Sequence, residues 1–427
     1  MLEELHRSQM PTSTARDESA GKVEPLTLYD FEVRSDGGRR TSVGAKLGDA
    51  DGYQTISFEI DADDGPVEVD TADGLFPIAL LVAMQRHRPL HVVAPLSPRL
   101  LYHANHYLGA ILARIHTPSQ AIPVTASDLR TPAPRPGRGV CTGCSGGVDS
   151  FNVLQDHLFQ PNVPGHRLTH LLFNSVGSHF PLDCTGVFQR RLARIRRLAS
   201  IVGLPLVVTT SNQDELLGTD FMQFESLRNA TVPLLLQTVA HRFYHAAAVT
   251  LDDLGIYPHD AVDIADPLLL SLLSTERMDL VSAGAEMDRI QKLARLPEIP
   301  FTHEFLDICT YSPAHVANCG RCLNKCAPNL FTMGMLGIVD EYAHLFDMEA
   351  YREGWPTFVV NMLRDDHSML MLQIQREVRR RKVRLPASLR AVAWADRHLK
   401  LRERLPVEFG RKICRALVPP ARRPIRP

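Results

Sequence analysis

The segment Ser145–Ser150 (SGGVDS) has the residue types that bind an anion at the start of a helix. Gly146 and Gly147 can adopt positive φ and let a phosphate approach the backbone closely. The helix predicted from Val148 to Phe159 directs its free N–H groups and the positive end of its dipole at the same point. The sequence therefore predicts a phosphate-binding loop.

The polar side chains of this loop add specific chemistry. Ser145 and Ser150 supply hydroxyl donors, whereas Asp149 would repel a bare phosphate. Asp149 thus predicts either a bound Mg²⁺ ion or a role in orienting the loop. We expect the catalytic residues to be Ser145, Asp149 and Ser150.

A second cluster of reactive side chains follows about 160 residues later. Four cysteines lie within eighteen residues, and four thiolates can complete a tetrahedral zinc site. Such a site has no open position for water, so we expect structural Zn²⁺. An iron–sulfur cluster takes the same ligands, and the sequence leaves that alternative open. The predicted ligands are Cys309, Cys319, Cys322 and Cys326.

The glycine loop is not a Walker loop, because no lysine follows the glycines, and it does not match G-x-G-x-x-G. It resembles the PP-loop, S-G-G-x-D-S, of the ATP pyrophosphatase superfamily. This resemblance implies that ATP is cleaved between its α- and β-phosphates, with adenylation of a substrate oxygen. The cofactors implied are ATP and Mg²⁺, and the predicted nucleotide-binding residues are Ser145, Gly146, Gly147, Val148, Asp149, Ser150, Asn174, Arg228 and Asn229.

The loop and the cysteine cluster together resemble the 7-cyano-7-deazaguanine synthases over residues 139–335. Arg228 and Asn229, at the start of a predicted helix, resemble a helix start of that family. The resemblance implies C–N bond formation on a carboxylate or purine-like substrate with a nitrogen donor, giving an amide or nitrile. The last cysteine spacing, CLNKC, is one residue longer than in that family. We therefore expect a related enzyme that acts on a different carboxyl or carbonyl substrate.

Alternating apolar strands and amphipathic helices after residue 139 predict the elements that position these residues. This order predicts an α/β fold with a parallel, Rossmann-like sheet of the HUP type and helices on both faces. Such sheets bind ligands at the carboxyl ends of their strands, which is where the glycine loop and Asn174 are expected. Glu276 and Arg289, near a later helix, are further candidate cleft contacts.

The chain divides into five predicted parts. The sequence predicts a disordered N-terminus at residues 1–22 and a small α+β domain of unknown role at 23–130. A Pro/Arg-rich linker follows at 131–138. The ATP-binding domain spans 139–335, and a helical, basic extension spans 336–427.

Composition favours a soluble globular protein, with 44% hydrophobic residues and a net charge of −1 in 427 residues. No apolar run reaches the ~18 residues that a membrane span needs. The first residues lack the apolar core of a secretory signal, and the clustered cysteines favour a reducing compartment. We expect a cytoplasmic protein without a membrane partner, and the sequence leaves homo-oligomers open.

Two other functions remain open at this stage. PP-loops also serve tRNA thiolases. Cys141 and Cys144 lie just before the loop, Cys184 lies after the second strand, and residues 376–427 carry 17 Lys/Arg against 4 Asp/Glu. A sulfurtransferase acting on tRNA or a small molecule is one alternative, although we favour a core role for Cys141 and Cys144 and a solvated basic tail. A non-catalytic nucleotide-binding module is the other.

Overall fold

The computed structural model describes residues 23–130, 138–178, 186–309 and 318–399. The expected N-terminal tail, Cys184, nearly all of the expected linker and the end of the basic extension lie outside the described residues.

Ten strands form one sheet in the order β10-β9-β6-β7-β8-β3-β2-β1-β4-β5. Six of the nine neighbouring pairs in this described sheet are parallel, and the three antiparallel pairs all involve β2 or β3. The strands are β1 Leu26–Ser35, β2 Arg40–Asp49, β3 Gly52–Ala62, β4 Leu90–Val92, β5 Val124–Ala126, β6 Gly139–Gly143, β7 His170–Ser175, β8 Leu206–Ser211, β9 Ala240–Ala246 and β10 Asp279–Ala283.

Helices cover both faces of this sheet, so the predicted α/β class is confirmed and is compatible with a Rossmann-like fold. The helices are α1 Phe76–Gln85, α2 Pro98–His103, α3 Gly109–Ile115, α4 Val148–Leu154, α5 Val187–Val202, α6 Gln213–Leu217, α7 Glu225–Leu235, α8 Asp266–Leu273, α9 Arg289–Arg295, α10 Thr302–Phe305, α11 Cys326–Leu336, α12 Val339–Tyr342, α13 Met348–Arg364, α14 Met369–Arg380 and α15 Ala387–Leu399.

The helix after the glycine loop extends beyond α4. A π-helical turn over Gln155–Phe159 continues it, so the ordered element spans the whole of the predicted helix from Val148. Its apolar residues enter one of two apolar cores, together with those of α5, α9 and α11. The other core lies on the opposite face, beneath α1, α7 and α8.

Strands from both expected domains belong to the same sheet. β3 pairs antiparallel with β8, with Phe58 opposite Ser211 and Ala62 opposite Val207. Side chains of β1–β3 and α1 share a core with those of α7 and α8. The expected α+β segment at 23–130 therefore extends the parallel sheet directly.

A buried polar network reinforces this junction. Asp73 is fully buried, and its carboxylate accepts hydrogen bonds from Gln237 at 2.8 Å and from the Ser97 backbone N–H at 2.8 Å. Glu276 accepts hydrogen bonds from the Ser97 hydroxyl at 2.7 Å and the Arg99 N–H at 2.9 Å. Glu276 thus joins the two parts of the chain and does not line the cavity described below.

After residue 336 the described chain is helical, in α12–α15. Helices α13, α14 and α15 pack on the same apolar core as α4, α5, α9 and α11. Within the described ranges, none of the helices combines the length and apolar composition needed to span a bilayer.

Candidate functional site

The glycine loop lies where the sheet changes its winding direction. β6 leads into the loop and has β7 on one side and β9 on the other. The carboxyl ends of these parallel strands border a cavity of about 270 Å³. Open α/β sheets bind ligands at such a point, and the cavity is lined by Ser145, Gly147, Val148, Asp149 and Ser150.

Hydrogen bonds within the loop fix its shape. The Ser145 and Ser150 hydroxyls lie 3.0 Å apart, and the Gly147 N–H donates to Ser145 Oγ at 3.2 Å. Gly146 has a φ of +77°, and a Cβ there would lie 2.9 Å from the Phe305 carbonyl oxygen. Only glycine fits this position without strain or displacement.

Asp149 forms ion pairs with two cations on α9. Arg289 donates to Oδ2 at 2.8 Å, and Lys292 donates to Oδ1 at 3.1 Å. Burial alone would raise the pKa of Asp149, but the charges of Arg289 and Lys292 lower it below its ordinary value. Asp149 is therefore a carboxylate whose two oxygens are both engaged, and Arg289 lines the cavity as predicted.

The two predicted asparagines meet at the end of β7. Asn174 Nδ2 lies 3.3 Å from Asn229 Oδ1, and both residues line the cavity. Arg228, predicted beside them, is fully buried and does not line it. Arg228 instead forms an ion pair with Asp214 and donates to the Thr219 carbonyl at 3.0 Å.

The four predicted metal ligands also come together. Their sulfur atoms all lie within 4.8 Å of one another, and the Cys326 N–H donates to Cys322 Sγ at 3.0 Å. Hydrogen bonds from the Cys322 and Cys326 thiols lower the pKa of Cys309, which favours its thiolate. Asn318 Oδ1 accepts from the Cys309 N–H at 3.2 Å and so anchors the segment. Four convergent sulfurs form a donor set that suits a metal such as zinc.

The metal-binding segment is continuous with the wall of the cavity. Cys309 lies on this wall, and the backbone N–H of Asp307 donates to the Gly146 carbonyl at 2.8 Å. Sequence reasoning did not identify the other cavity residues of this segment. The one sequence signal that could have pointed to them is the CLNKC segment, whose long spacing between cysteines includes an asparagine and a lysine. The additional residues are Asp307, Ile308, Asn324, Lys325 and Asn329.

The opposite side of the cavity carries acids and an imidazole. Glu225 and His245 line it, and His245 Nε2 lies 3.5 Å from the buried Asp266 carboxylate. Burial lowers the pKa of His245 to about 4 and raises that of Asp266 well above its ordinary value. Burial also raises the pKa of Glu225. Burial therefore disfavours the charged forms of all three of these groups.

The cysteines before the loop are core residues, as the sequence predicted. Cys141 and Cys144 are buried in β6 and just after it, as free thiols. Burial raises the pKa of Cys144 to about 12 and raises that of Cys141 as well. Neither residue is therefore a ready thiolate nucleophile at neutral pH.

The chain was compared with protein families, with curated proteins and with solved structures, and none of the three comparisons gave a match.

Proposed function

We propose that this protein is an adenylating enzyme with a HUP-type sheet that cleaves ATP to AMP and pyrophosphate. The adenylated substrate is a carboxylate or carbonyl compound, and its activation leads to a C–N bond. The observation that carries the proposal is the S-G-G-x-D-S loop at the switch point of a parallel sheet, opening into a cavity.

The loop residues have distinct roles in this reaction. The backbone N–H groups at the start of α4 and the hydroxyls of Ser145 and Ser150 bind the outgoing pyrophosphate, whose developing charge they stabilise. Asn174 and Asn229 lie near the adenine. Arg228 acts indirectly: its guanidinium packs against Gly177, where no Cβ would fit, and so supports the turn after β7.

Asp149 does not suit direct Mg²⁺ binding in this arrangement, since Arg289 and Lys292 occupy both of its oxygens. Of the two roles predicted from the sequence, the ion pairs favour the orienting one. Mg²⁺ is then coordinated by the phosphates of the bound nucleotide. Asp149 fixes the position of α4 relative to α9 beneath these phosphates.

The acceptor and the nitrogen donor belong on the side of Glu225 and His245. Groups that accept hydrogen bonds suit the N–H donors of an amine or of a purine-like ring. Phe221, Met222 and Phe243 provide an adjacent apolar wall. After adenylation, the lone pair of the nitrogen attacks the acyl carbon, the C–O bond electrons leave with AMP, and the nitrogen releases one proton to water. The four-cysteine centre has a structural role.

The test is incubation of the zinc-loaded protein with Mg-ATP and a fractionated metabolite pool, with AMP and pyrophosphate measured in equal amounts. Ser145→Ala should reduce both products at least tenfold. Ser200→Ala, at an exposed serine on α5, is the matched control. Formation of ADP and phosphate, or unchanged products from the Ser145 variant, would refute the proposal.

The same experiment separates the two alternatives. Tight ATP binding without AMP from any fraction would favour a non-catalytic module. A sulfurtransferase would need a reactive thiolate, which the buried Cys141 and Cys144 do not provide. AMP formation that depended on tRNA would nevertheless favour that alternative.

A further inference from the structure

Three cationic residues line the cavity, and two of them are neutralised by neighbouring carboxylates. Arg289 is paired with Asp149 at 2.8 Å, and Arg191 Nε lies 3.6 Å from Asp307. A phosphate that enters the cavity meets these two guanidinium groups with their charge already compensated.

Lys325 is the third of these residues and differs from the other two. Within the described parts of the chain, its ammonium forms no ion pair, although the residue is partly buried. Its charge acts over a longer range on two carboxyls: it opposes the rise that burial causes in the pKa of Glu225, and it adds to the lowering of the pKa of Asp149 by Arg289 and Lys292. Lys325 lines the same cavity as the glycine loop and Glu225.

The metal-binding turn holds Lys325 in this position. Lys325 lies between two metal ligands, directly before Cys326, and it is the residue that precedes α11. Its carbonyl accepts hydrogen bonds from Asn329 Nδ2 at 2.6 Å and from the Asn329 N–H at 3.3 Å. The bound metal would restrain the backbone on both sides of Lys325.

From this geometry we infer that Lys325 binds the pyrophosphate portion of the nucleotide and that the metal at the four cysteines positions it to do so. The inference rests on the proposed function and assigns the metal centre a part in nucleotide binding. An ammonium without a paired carboxylate attracts the multiply charged diphosphate, and partial burial of Lys325 weakens screening by salt. AMP lacks that diphosphate and gains little from the contact.

Calorimetric titration of the zinc-loaded protein tests the inference with three probes: pyrophosphate, Mg-α,β-methylene-ATP and AMP. Lys325→Gln should weaken binding of the first two about tenfold or more and leave AMP within about twofold. Arg321→Gln is the matched control, because Arg321 is an exposed cation on the same turn and does not line the cavity. It should change none of the three affinities by more than about twofold.

Zinc removal provides the second part of the test, with metal content and circular dichroism as readouts independent of turnover. Zinc-depleted wild-type protein that stays folded should lose about as much pyrophosphate affinity as the Lys325 variant. Removal of zinc from the Lys325→Gln variant should then weaken pyrophosphate binding little further. If zinc depletion unfolds the chain, the Lys325→Arg variant tests the role of the side chain instead. Because arginine keeps the positive charge, this variant should retain the pyrophosphate affinity that Lys325→Gln loses.

The outcomes separate this inference from the function it rests on. If wild-type protein binds neither the ATP analogue nor pyrophosphate, both are wrong. If wild-type binds them and Lys325→Gln binds them equally well, only the role of Lys325 is refuted. If the Lys325 variants behave as expected but depleted, folded wild-type retains full affinity, the role of the metal is refuted.

Discussion

The ammonium group of Lys292 donates a hydrogen bond to the Asp149 carboxylate at 3.1 Å, joining α9 to the first turn of α4. Lys292 is 2% exposed, and its second acceptor is the Ala247 carbonyl at 2.6 Å. A charge this deeply buried requires an opposite charge. The pair therefore locks the helix that begins at the glycine loop onto its neighbour.

Asp149→Ala should lower the free energy of unfolding by about 3–5 kcal/mol, because it leaves the Lys292 ammonium buried without a counter-charge. Urea denaturation measures this loss. Asp149→Asn combined with Lys292→Met should recover part of it, since the buried charge is then gone. Asp156→Asn, which removes a partly exposed pair with Arg295, is the control and should cost less than about 1 kcal/mol. Equal losses for the two aspartates would contradict a buried structural pair.

Gly146→Ala should both destabilise the protein and weaken nucleotide binding. The positive φ alone costs about 1–2 kcal/mol for a residue with a side chain, and the new Cβ would displace the Phe305 carbonyl. Gly143→Ala is the matched control for the stability measurement, because a Cβ there meets no atom within 4 Å. Thermal unfolding and titration with α,β-methylene-ATP measure the two effects. A Gly146 variant as stable as the Gly143 variant would show that the loop does not need its positive φ.

The four-cysteine centre should bind one zinc ion per chain, and Cys326→Ser should lose it. Cys141→Ser is the control, because Cys141 is a buried thiol outside the cluster and should leave metal content unchanged. Elemental analysis of the purified protein gives the stoichiometry. A broad visible absorption with bound iron would instead indicate an iron–sulfur cluster.

His245 should make the stability of the protein sensitive to acid. Its pKa is lowered to about 4 in the folded chain, while an unfolded histidine has its ordinary value of 6.5. Between these values the unfolded chain binds more protons, so stability falls as the pH falls from 6.5 to 4, by up to about 3 kcal/mol.

The measurement is the difference in unfolding free energy between wild type and His245→Gln at several pH values. Because Asp263 and Asp266 are present in both proteins, most of their own titration cancels. Wild type should lose stability relative to the variant as the solution is acidified through this window. A difference independent of pH would show that His245 titrates normally.

The local sequence was enough to predict the features that depend on residues close together in the chain. The loop geometry follows from two glycines between serines, and the close spacing of Cys319, Cys322 and Cys326 brings their sulfurs together. Asn174 lies at the carboxyl end of β7, where the sequence places the cavity of a parallel sheet, although its contact with Asn229 on α7 depends on how that helix packs. Apart from that contact, these relations need only local patterning and parallel topology.

Features that depend on tertiary packing were not visible in the sequence. The sequence predicts Arg228 at the nucleotide, but in the structure Arg228 is buried in an ion pair with Asp214. Asp214 belongs to no recognisable sequence motif, so this pairing could not be predicted. The position of Lys325 in the cavity is not predicted from the sequence, because only the fold brings the metal-binding turn to the glycine loop. The continuous sheet likewise depends on the pairing of β3 with β8, about 150 residues later in the chain.

The antiparallel pairing of β3 with β8 also determines where this molecule could aggregate or add a foreign strand. A sheet that ended at β8 would expose six residues of unpaired backbone from Leu206 to Ser211. In the part of the chain that the structure describes, the outermost strands are β5, with three residues, and β10, with five. Short edge strands offer few unpaired backbone groups with which another chain could form a β-ladder. The N-terminal strands thus give the sheet protection against edge-to-edge association, whatever else they recognise.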